Sequence, residues 1–164
     1  MKFLLDSMLG RLAKWLRVMG YDVHYQQEYR LTELYRFTKQ NRVFISKDSK
    51  LISKIGGILL KGNNITDQIK ELKTKLDLNP DPNNWFSRCI ICNAGLKKAD
   101  PEYAKDFVPE YVFIQNKDKI KFCPSCNRFY WPGTHKKRMI LQLKKWGFNY
   151  LAIIALIISE AFSA

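Results

Sequence analysis

The chain of 164 residues is strongly basic and contains enough apolar residues to fold. Its 28 lysines and arginines outnumber 15 aspartates and glutamates, which gives a formal net charge of +13 at pH 7. Hydrophobic residues make up 46% of the chain and aromatic residues 13%, so disorder is excluded as a description of the whole. The length is sufficient for one ordinary core and a small appended module.

The positive charge is spread along the whole chain. The 15 basic and 9 acidic residues up to residue 83 give +6, and the 13 basic and 6 acidic residues beyond it give +7. Such a charge favours a polyanionic partner, with RNA or DNA ahead of an anionic membrane. A generally basic proteome would give the same excess without such a partner.

Strands and helices are predicted to alternate in the first half of the chain. Apolar runs predict strands at 2–5, 21–25, 42–46 and 57–60, and apolar residues at helical spacing predict helices at 9–19, 32–40, 51–55 and 66–76. We expect Thr66 to cap the last of these helices. Strands that alternate with helices at this spacing indicate an α/β sandwich around a mainly parallel sheet.

A segment rich in proline and asparagine follows and predicts a domain boundary. We expect a first domain at 1–79, a linker at 80–84, a zinc ribbon at 85–139 and a basic, then apolar, helical tail at 140–164. The apolar stretch in that tail is shorter than the roughly 20 residues that span a bilayer. We expect it to dock on a partner or on the protein's own core, and a membrane-surface anchor is the alternative. Asp6 comes too early for a signal peptide, so a cytoplasmic protein is expected.

All four cysteines fall in two CxxC pairs, Cys89 with Cys92 and Cys123 with Cys126. Four thiolates are the number that a structural Zn²⁺ needs for closed tetrahedral coordination. Two redox-active dithiols and two local disulfides are the alternatives. A disulfide between residues three apart is geometrically awkward, and nothing points to an oxidising compartment. The spacing therefore predicts a zinc ribbon.

Three acidic residues lie near the carboxyl ends of the predicted strands, where parallel sheets usually bind their ligands. Asp6 and Asp48 directly follow two predicted strands, and Glu33 lies in the first turn of a helix between them. Ligands of open parallel sheets bind outside the carboxyl ends of the strands. Three converging carboxylates would repel one another unless a divalent cation joined them, and Mg²⁺ or Mn²⁺ suits such ligands. The alternative is that these residues only cap helices and turns.

Basic side chains adjoin aromatic ones at 14–17 and at 128–138. Phosphate contacts combined with base stacking are the usual way of holding single-stranded RNA. The alternative for the first stretch is that Trp15 covers the core. The residues expected to contact RNA are Arg11, Lys14, Arg17, Lys47, Arg128, Tyr130, Trp131, His135, Lys136, Lys137 and Arg138.

Several motifs occur in a characteristic order: FLLDSMLGRLAKWLR at 3–17, ISKD at 45–48, FSRCIICN at 86–93 and YWPGTH at 130–135. Together they cover roughly residues 2–139 and resemble the Mut-seven C-terminal RNase domain family. The resemblance implies a PIN-like three-layer sandwich with a small C-terminal zinc ribbon. It also implies a ribonuclease that hydrolyses RNA phosphodiester bonds with a divalent metal ion, Mg²⁺ or Mn²⁺, held by Asp6, Glu33 and Asp48.

The chain departs from that family in two places. Members usually carry an acidic run before the helix of Glu33, where this chain has QQEYRLT at 26–32. Members commonly have an acidic Gly-Asp-Asp-like turn after the fourth strand, where this chain has Gly62-Asn63-Asn64. Asp67 is then the nearby carboxylate and the candidate additional metal ligand. The alternative functions are a catalytically weak or inactive RNA- or ribosome-binding factor of the same fold, and an interaction protein that docks through its apolar tail.

Overall fold

The structure, a computed structural model, describes residues 1–148. The chain forms two compact units, of which the first is Met1–Leu96 and the second begins at Lys97. The first unit thus extends beyond the boundary predicted at 80–84. The segment after the linker packs on the first helix, since the Phe86 N–H donates to the Val18 carbonyl over 2.8 Å. Gly20 ends that helix with a φ of 92°, and a Cβ there would lie 2.5 Å from the Asn84 carbonyl oxygen.

The first unit is an α/β structure with a four-stranded parallel sheet, as the alternation of elements predicted. The strand order is β2-β1-β3-β4. The strands are β1 (Lys2–Leu5), β2 (Asp22–Tyr25), β3 (Val43–Ser46) and β4 (Ile58–Leu59), and the helices are α1 (Gly10–Val18), α2 (Leu31–Thr38), α3 (Ser49–Ile55) and α4 (Ile65–Leu76). The predicted cap of α4 was wrong: Asn64 occupies that position, and its side chain accepts from the Asp67 N–H.

The sheet is buried on both faces, which explains why its strands are nearly continuous apolar runs. Leu4 of β1 lies opposite Phe44 of β3, and both pack with Leu34 of α2 on one face. Phe3 and Leu5, the neighbours of Leu4 in β1, point to the other face of the sheet and have no exposed surface. The strand order turns at β1, so the crevice between the ends of β1 and β3 is the topological switch point of the sheet.

The second unit contains a three-stranded antiparallel sheet and three helices within the described residues. The elements are β5 (Lys97–Lys98), α5 (Pro101–Lys105), α6 (Glu110–Asn116), β6 (Lys121–Phe122), β7 (Phe129–Tyr130) and α7 (Thr134–Lys145). Helices α5 and α6 were not predicted, although Asp100 capping a helix that starts with Pro101 is a recognisable start signal. Their apolar residues form the core of this unit with Ile120.

The predicted tail is only partly described. Its basic section belongs to α7, which begins at Thr134, before the predicted start at residue 140. The apolar stretch at 149–164 lies outside the described residues, so its docking stays a prediction. Among residues 1–148, no helix is long and apolar enough to cross a bilayer.

His24 in β2 should make folding stability depend on pH. Its ring lies on Phe37, with centroids 3.8 Å apart, and its Nε2 is buried without a hydrogen-bond partner among the described residues. Burial lowers the pKa of His24 below 6.5, and the positive charges of Arg42 and Arg17 lower it further. The unfolded chain therefore binds the proton more readily than the folded protein does. Stability should fall as the pH drops through about 6.5.

The measurement is the urea midpoint at about pH 7.5 and about pH 5.5. We expect His24→Phe, which keeps the ring contact, to reduce the loss of stability between these two pH values. His135→Gln, a change at an exposed position, serves as the control and should retain the wild-type dependence. An unchanged pH dependence in His24→Phe would contradict the assignment.

Candidate metal centre and nuclease site

The two CxxC pairs meet in one group. The sulfur atoms of Cys89, Cys92, Cys123 and Cys126 all lie within 4.8 Å of one another. Tetrahedral coordination with Zn–S bonds of about 2.3 Å places thiolates about 3.8 Å apart, so this spacing suits Zn²⁺. The four cysteines can therefore hold a metal ion in a closed site, with no position left for substrate.

The two pairs form nearly identical loops. The Cys89 N–H donates to the Ala94 carbonyl over 2.8 Å, and the Cys123 N–H donates to the Arg128 carbonyl over 2.9 Å. Asn93 and Asn127 each follow a pair with a positive φ, 71° and 55°. Asparagine tolerates this conformation better than most residues, so both loops are built by local sequence. The four sulfur atoms that these two turns carry lie in one group.

Arg17 packs against the first cysteine loop, and its burial argues against the RNA contact predicted for it. It is only 3% exposed, because its guanidinium donates to the carbonyls of Val23, Ile90 and Ile91 over 2.8–3.2 Å. Burial lowers its pKa, while the Cys89 and Cys92 sulfurs oppose that shift. The guanidinium therefore holds the loop on β2 and has no surface to offer a phosphate.

Arg17→Met should destabilise the protein strongly. The methionine keeps most of the volume but removes the donor from the Val23 carbonyl, where the hydrogen bonds are buried, and from the Ile90 and Ile91 carbonyls, where they are partly buried. A buried acceptor left without a donor costs about 1–3 kcal/mol. We expect a loss of about 2 kcal/mol or more in the free energy of unfolding, measured by urea denaturation. Arg11→Met on the same helix removes an exposed charge and should change stability by less than about 0.5 kcal/mol. Equal effects of the two variants would refute the supporting role of Arg17.

Asp6 lies at the carboxyl end of β1, at the switch point, and is 4% exposed. Its Oδ1 accepts from the Met8 N–H over 2.9 Å, and its Oδ2 accepts from the Lys47 N–H over 2.9 Å and from the Ser46 hydroxyl. A carboxylate has about four lone-pair positions. Three are occupied here, so Asp6 is held in a fixed orientation and has room for one further ligand.

Ser46 links the carboxylate of Asp6 to the backbone of Asp48, a role the sequence analysis missed. Its hydroxyl donates to Asp6 and accepts from the Asp48 N–H over 2.8 Å. A fully buried serine at the end of an apolar strand needs such partners. The sign of this role in the sequence is that Ser46 is a polar residue at the end of the otherwise apolar strand β3, two positions before Asp48.

Asp48 and Glu33 are half-buried and cap helices. The Asp48 Oδ1 accepts from the N–H groups of Lys50 and Leu51 in α3, and the Glu33 Oε2 accepts from the Arg30 N–H ahead of α2. Among the described residues, the four cysteines are the one group of three or more Cys, His, Asp or Glu side chains placed to hold a metal ion. Asp6, Glu33 and Asp48 do not form such a group, so their metal-binding role stays a prediction.

Asp67 is exposed on the first turn of α4 and belongs to a separate polar cluster. Its carboxylate accepts from the Asn64 side-chain amide over 2.6 Å. The neighbouring Asn63 accepts from the Lys47 ammonium over 2.9 Å. A lysine therefore faces the asparagine turn after β4, which makes an additional cation at Asp67 electrostatically less favourable.

A cavity of about 310 Å³ opens beside Asp6. The remaining residues that line it are Ser7, Tyr29, Leu31, Leu34, Leu51 and Lys54. Burial raises the pKa of Tyr29 to about 12, with the Asp6 charge contributing in the same direction, so its phenol stays neutral. The lining of the cavity is mostly apolar, and it includes one carboxylate, of Asp6, and one ammonium, of Lys54. Such a cavity suits a flat ring beside a charged group.

The other predicted RNA contacts differ in exposure. Arg11 and Lys14 are exposed on α1. In the second unit the exposed members are Arg128, His135, Lys137 and Arg138, and the half-buried ones are Tyr130, Trp131 and Lys136. Burial lowers the pKa of Lys136, and the charge of Lys121 adds to the effect. Two ammonium groups near one another favour an anion, and RNA contact at these residues stays a prediction.

A parallel sheet with polar residues at its switch point and a group of four cysteines defines an α/β protein with a metal-binding module. The model of the Mut7-C RNAse domain family matches residues 1–143, and the chain belongs to this family. This confirms the family predicted from the ordered motifs. No curated protein and no solved structure gives a significant match. Membership in an RNase domain family supports a nuclease-type role with RNA.

Proposed function

We propose that this protein is a cytoplasmic ribonuclease that hydrolyses RNA phosphodiester bonds with a divalent cation. The observation that carries the proposal is the arrangement Asp6–Ser46–Asp48 at the switch point of a chain that belongs to an RNase domain family. The fold we propose for the first unit is PIN-like. The net charge of +13 attracts RNA, ribosomal RNA among the candidates.

The carboxylates at this edge are ligands of the kind that Mg²⁺ or Mn²⁺ takes. Mg²⁺ usually keeps several waters and binds through one or two carboxylates together with substrate phosphates, so a cage of three close acids is not required. When bound, such an ion polarises the scissile phosphate and activates a water molecule. Asp6 and Asp48 would hold it, and Glu33 would complete the site from α2.

This chain's own groups fix the geometry of the site. Ser46 and the Lys47 N–H orient the Asp6 carboxylate, so its remaining position points in one direction. The cavity beside Asp6 would take a nucleobase next to the scissile bond, with Lys54 near a phosphate. Orientation of this kind lowers the entropic cost of reaching the transition state.

The four cysteines have a structural part in this proposal. Zn²⁺ bound by four thiolates has no open position and does not act on substrate. It would fix the two loops, and the basic and aromatic residues at 128–138 would then hold RNA. The zinc ribbon thus contributes to affinity, whereas the acidic edge contributes to cleavage.

A second function, a catalytically weak or inactive RNA- or ribosome-binding factor, is favoured by two observations. Asp6, Asp48 and Glu33 each accept backbone N–H groups, so each has a local structural role as well. The turn after β4 carries Asn63 and Asn64 in place of acids. Such a binding factor would have the same fold and the same affinity for RNA, and its hydrolysis of RNA would be slow or absent.

The deciding experiment uses the purified full chain and labelled RNA, both unstructured and hairpin-forming. Each RNA is incubated with Mg²⁺, with Mn²⁺ and with EDTA. Cleavage that requires a divalent cation supports the ribonuclease, and the product ends show whether cutting is internal. Tight binding without cleavage in any condition would replace it by the binding factor.

A further inference from the structure

The second unit carries a cluster of four aromatic rings, three of which lie outside the stretch 128–138 that the function above uses. Tyr103 and Phe107 contact each other at 4.8 Å between centroids, and both contact Phe129, at 5.7 and 5.5 Å. Phe122 lies 5.2 Å from Phe129. The Phe107 and Phe129 rings are nearly parallel, with an interplanar angle of 14°.

Two of these rings are strongly exposed. Tyr103 is 44% and Phe107 is 58% accessible to solvent, while the residues beneath, such as Ala104, are fully buried. Smaller side chains thus fill the core of the unit, so the exposed faces of these two rings are not needed to cover it. An exposed patch of contacting aromatic rings indicates a binding surface.

The sheet register places a basic residue on the same face. Lys97 lies opposite Phe122, which lies opposite Phe129, so the three share one face of the small sheet. The described part of this unit, from residue 97 to 148, has 12 basic and 5 acidic residues, a net charge of +7. This charge complements a polyanion rather than a typical protein surface.

The acidic residues on and around α5 narrow the chemical class of group that the exposed rings can bind. Asp100, Glu102 and Asp106 flank the two exposed rings in sequence, and they would repel phosphates placed directly above them. The rings therefore suit the uncharged bases of a strand whose phosphates run toward lysines such as Lys97. Bases stack on aromatic side chains with little dependence on sequence.

We propose that Tyr103, Phe107 and Phe129 form a stacking surface for unpaired RNA bases. The proposal deepens the proposed function, since it rests on RNA being the ligand of this protein. The surface distinguishes single-stranded RNA from a duplex, because bases inside a duplex expose no free face. It adds to the contacts predicted at 128–138, since neither Tyr103 nor Phe107 belongs to that stretch.

The test compares the binding of three labelled RNAs to the full zinc-loaded chain: an unstructured 12-mer, an abasic strand of equal length and a blunt duplex. Phe107→Leu keeps an apolar side chain and removes the ring. We expect it to weaken binding of the 12-mer by at least about fivefold, as loss of a stacked base does. Binding of the abasic strand and of the duplex should change by less than about twofold.

Ile114→Ala is the matched control, because Ile114 is 72% exposed in the same unit and belongs to no ring contact described above. Its binding should equal that of the wild type. Zinc content and circular dichroism confirm that each variant is folded. Equal losses with all three RNAs, no loss in Phe107→Leu, or the same loss in Ile114→Ala would each overturn the stacking surface. A wild-type protein that binds none of the RNAs would instead overturn the proposed function.

Discussion

Cys123→Ser is expected to release the metal and to unfold the loops that it holds. Cys123 has no exposed surface, and its sulfur lies within 4.8 Å of the three others. A serine hydroxyl is a poor ligand for Zn²⁺, which prefers deprotonated sulfur. Structural zinc contributes about 10–16 kcal/mol in zinc-finger peptides, so losing one ligand of four removes a large part of the folding free energy of the module.

The measurement is zinc content per chain together with a thermal unfolding scan. The wild type should hold about one zinc per chain and Cys123→Ser near none. Ser125→Ala in the same loop changes an exposed side chain and should retain wild-type zinc and stability. Unchanged zinc content in Cys123→Ser would refute the four-cysteine centre, and redox-active dithiols would then be the better interpretation.

Asp6→Asn is expected to abolish cleavage while RNA affinity remains. The asparagine can keep one of the oxygen acceptors but loses the charge that a divalent cation requires. We expect the cleavage rate to fall by at least about a hundredfold. Because Asp6 accepts three hydrogen bonds in a nearly buried position, we also expect a loss of about 1–2 kcal/mol in stability. Single-turnover cleavage and urea denaturation measure the two effects separately.

Asp48→Asn separates the catalytic role from the structural one. Asparagine caps a helix as well as aspartate does, so the start of α3 should be retained and stability nearly unchanged. Cleavage should nevertheless fall as it does in Asp6→Asn. Asp77→Asn, an exposed change of equal charge after α4, should cleave at the wild-type rate. Full activity in Asp48→Asn would show that this acid only caps its helix.

The periodicity of the first half predicted the fold class because both faces of the sheet are buried. In the strand at 2–5, the three residues after Lys2 are then an uninterrupted apolar run. The spacing of the four cysteines likewise predicted their common centre. Helices α5 and α6 were missed because each is short, with five and seven residues, and their apolar residues show little periodicity. Thr66 looked like a cap, but Asn64 lies two residues earlier and has the extended backbone that a cap requires.

Less of the candidate site than of the fold could be predicted from the sequence. Arg17 lies among the basic residues of α1, and its charge suggested exposure. Its guanidinium is instead paired with the carbonyls of Val23 and of residues 90–91, which the fold brings to it. Ser46 likewise acquires its role from Asp6, which is forty positions away along the chain. Long-range polar pairs of this kind depend on the tertiary fold, and the local sequence does not identify the partner.

The first cysteine loop has a consequence for association between copies of the protein. Strand β2 is an edge of the sheet, and edges with unpaired backbone groups invite strand addition and aggregation. Here the Val23 N–H donates to the Asn93 side chain, and the Val23 carbonyl accepts from Arg17. A loop that loses its metal would release Asn93 and uncover this edge. Chelation should therefore promote self-association of the protein through β2.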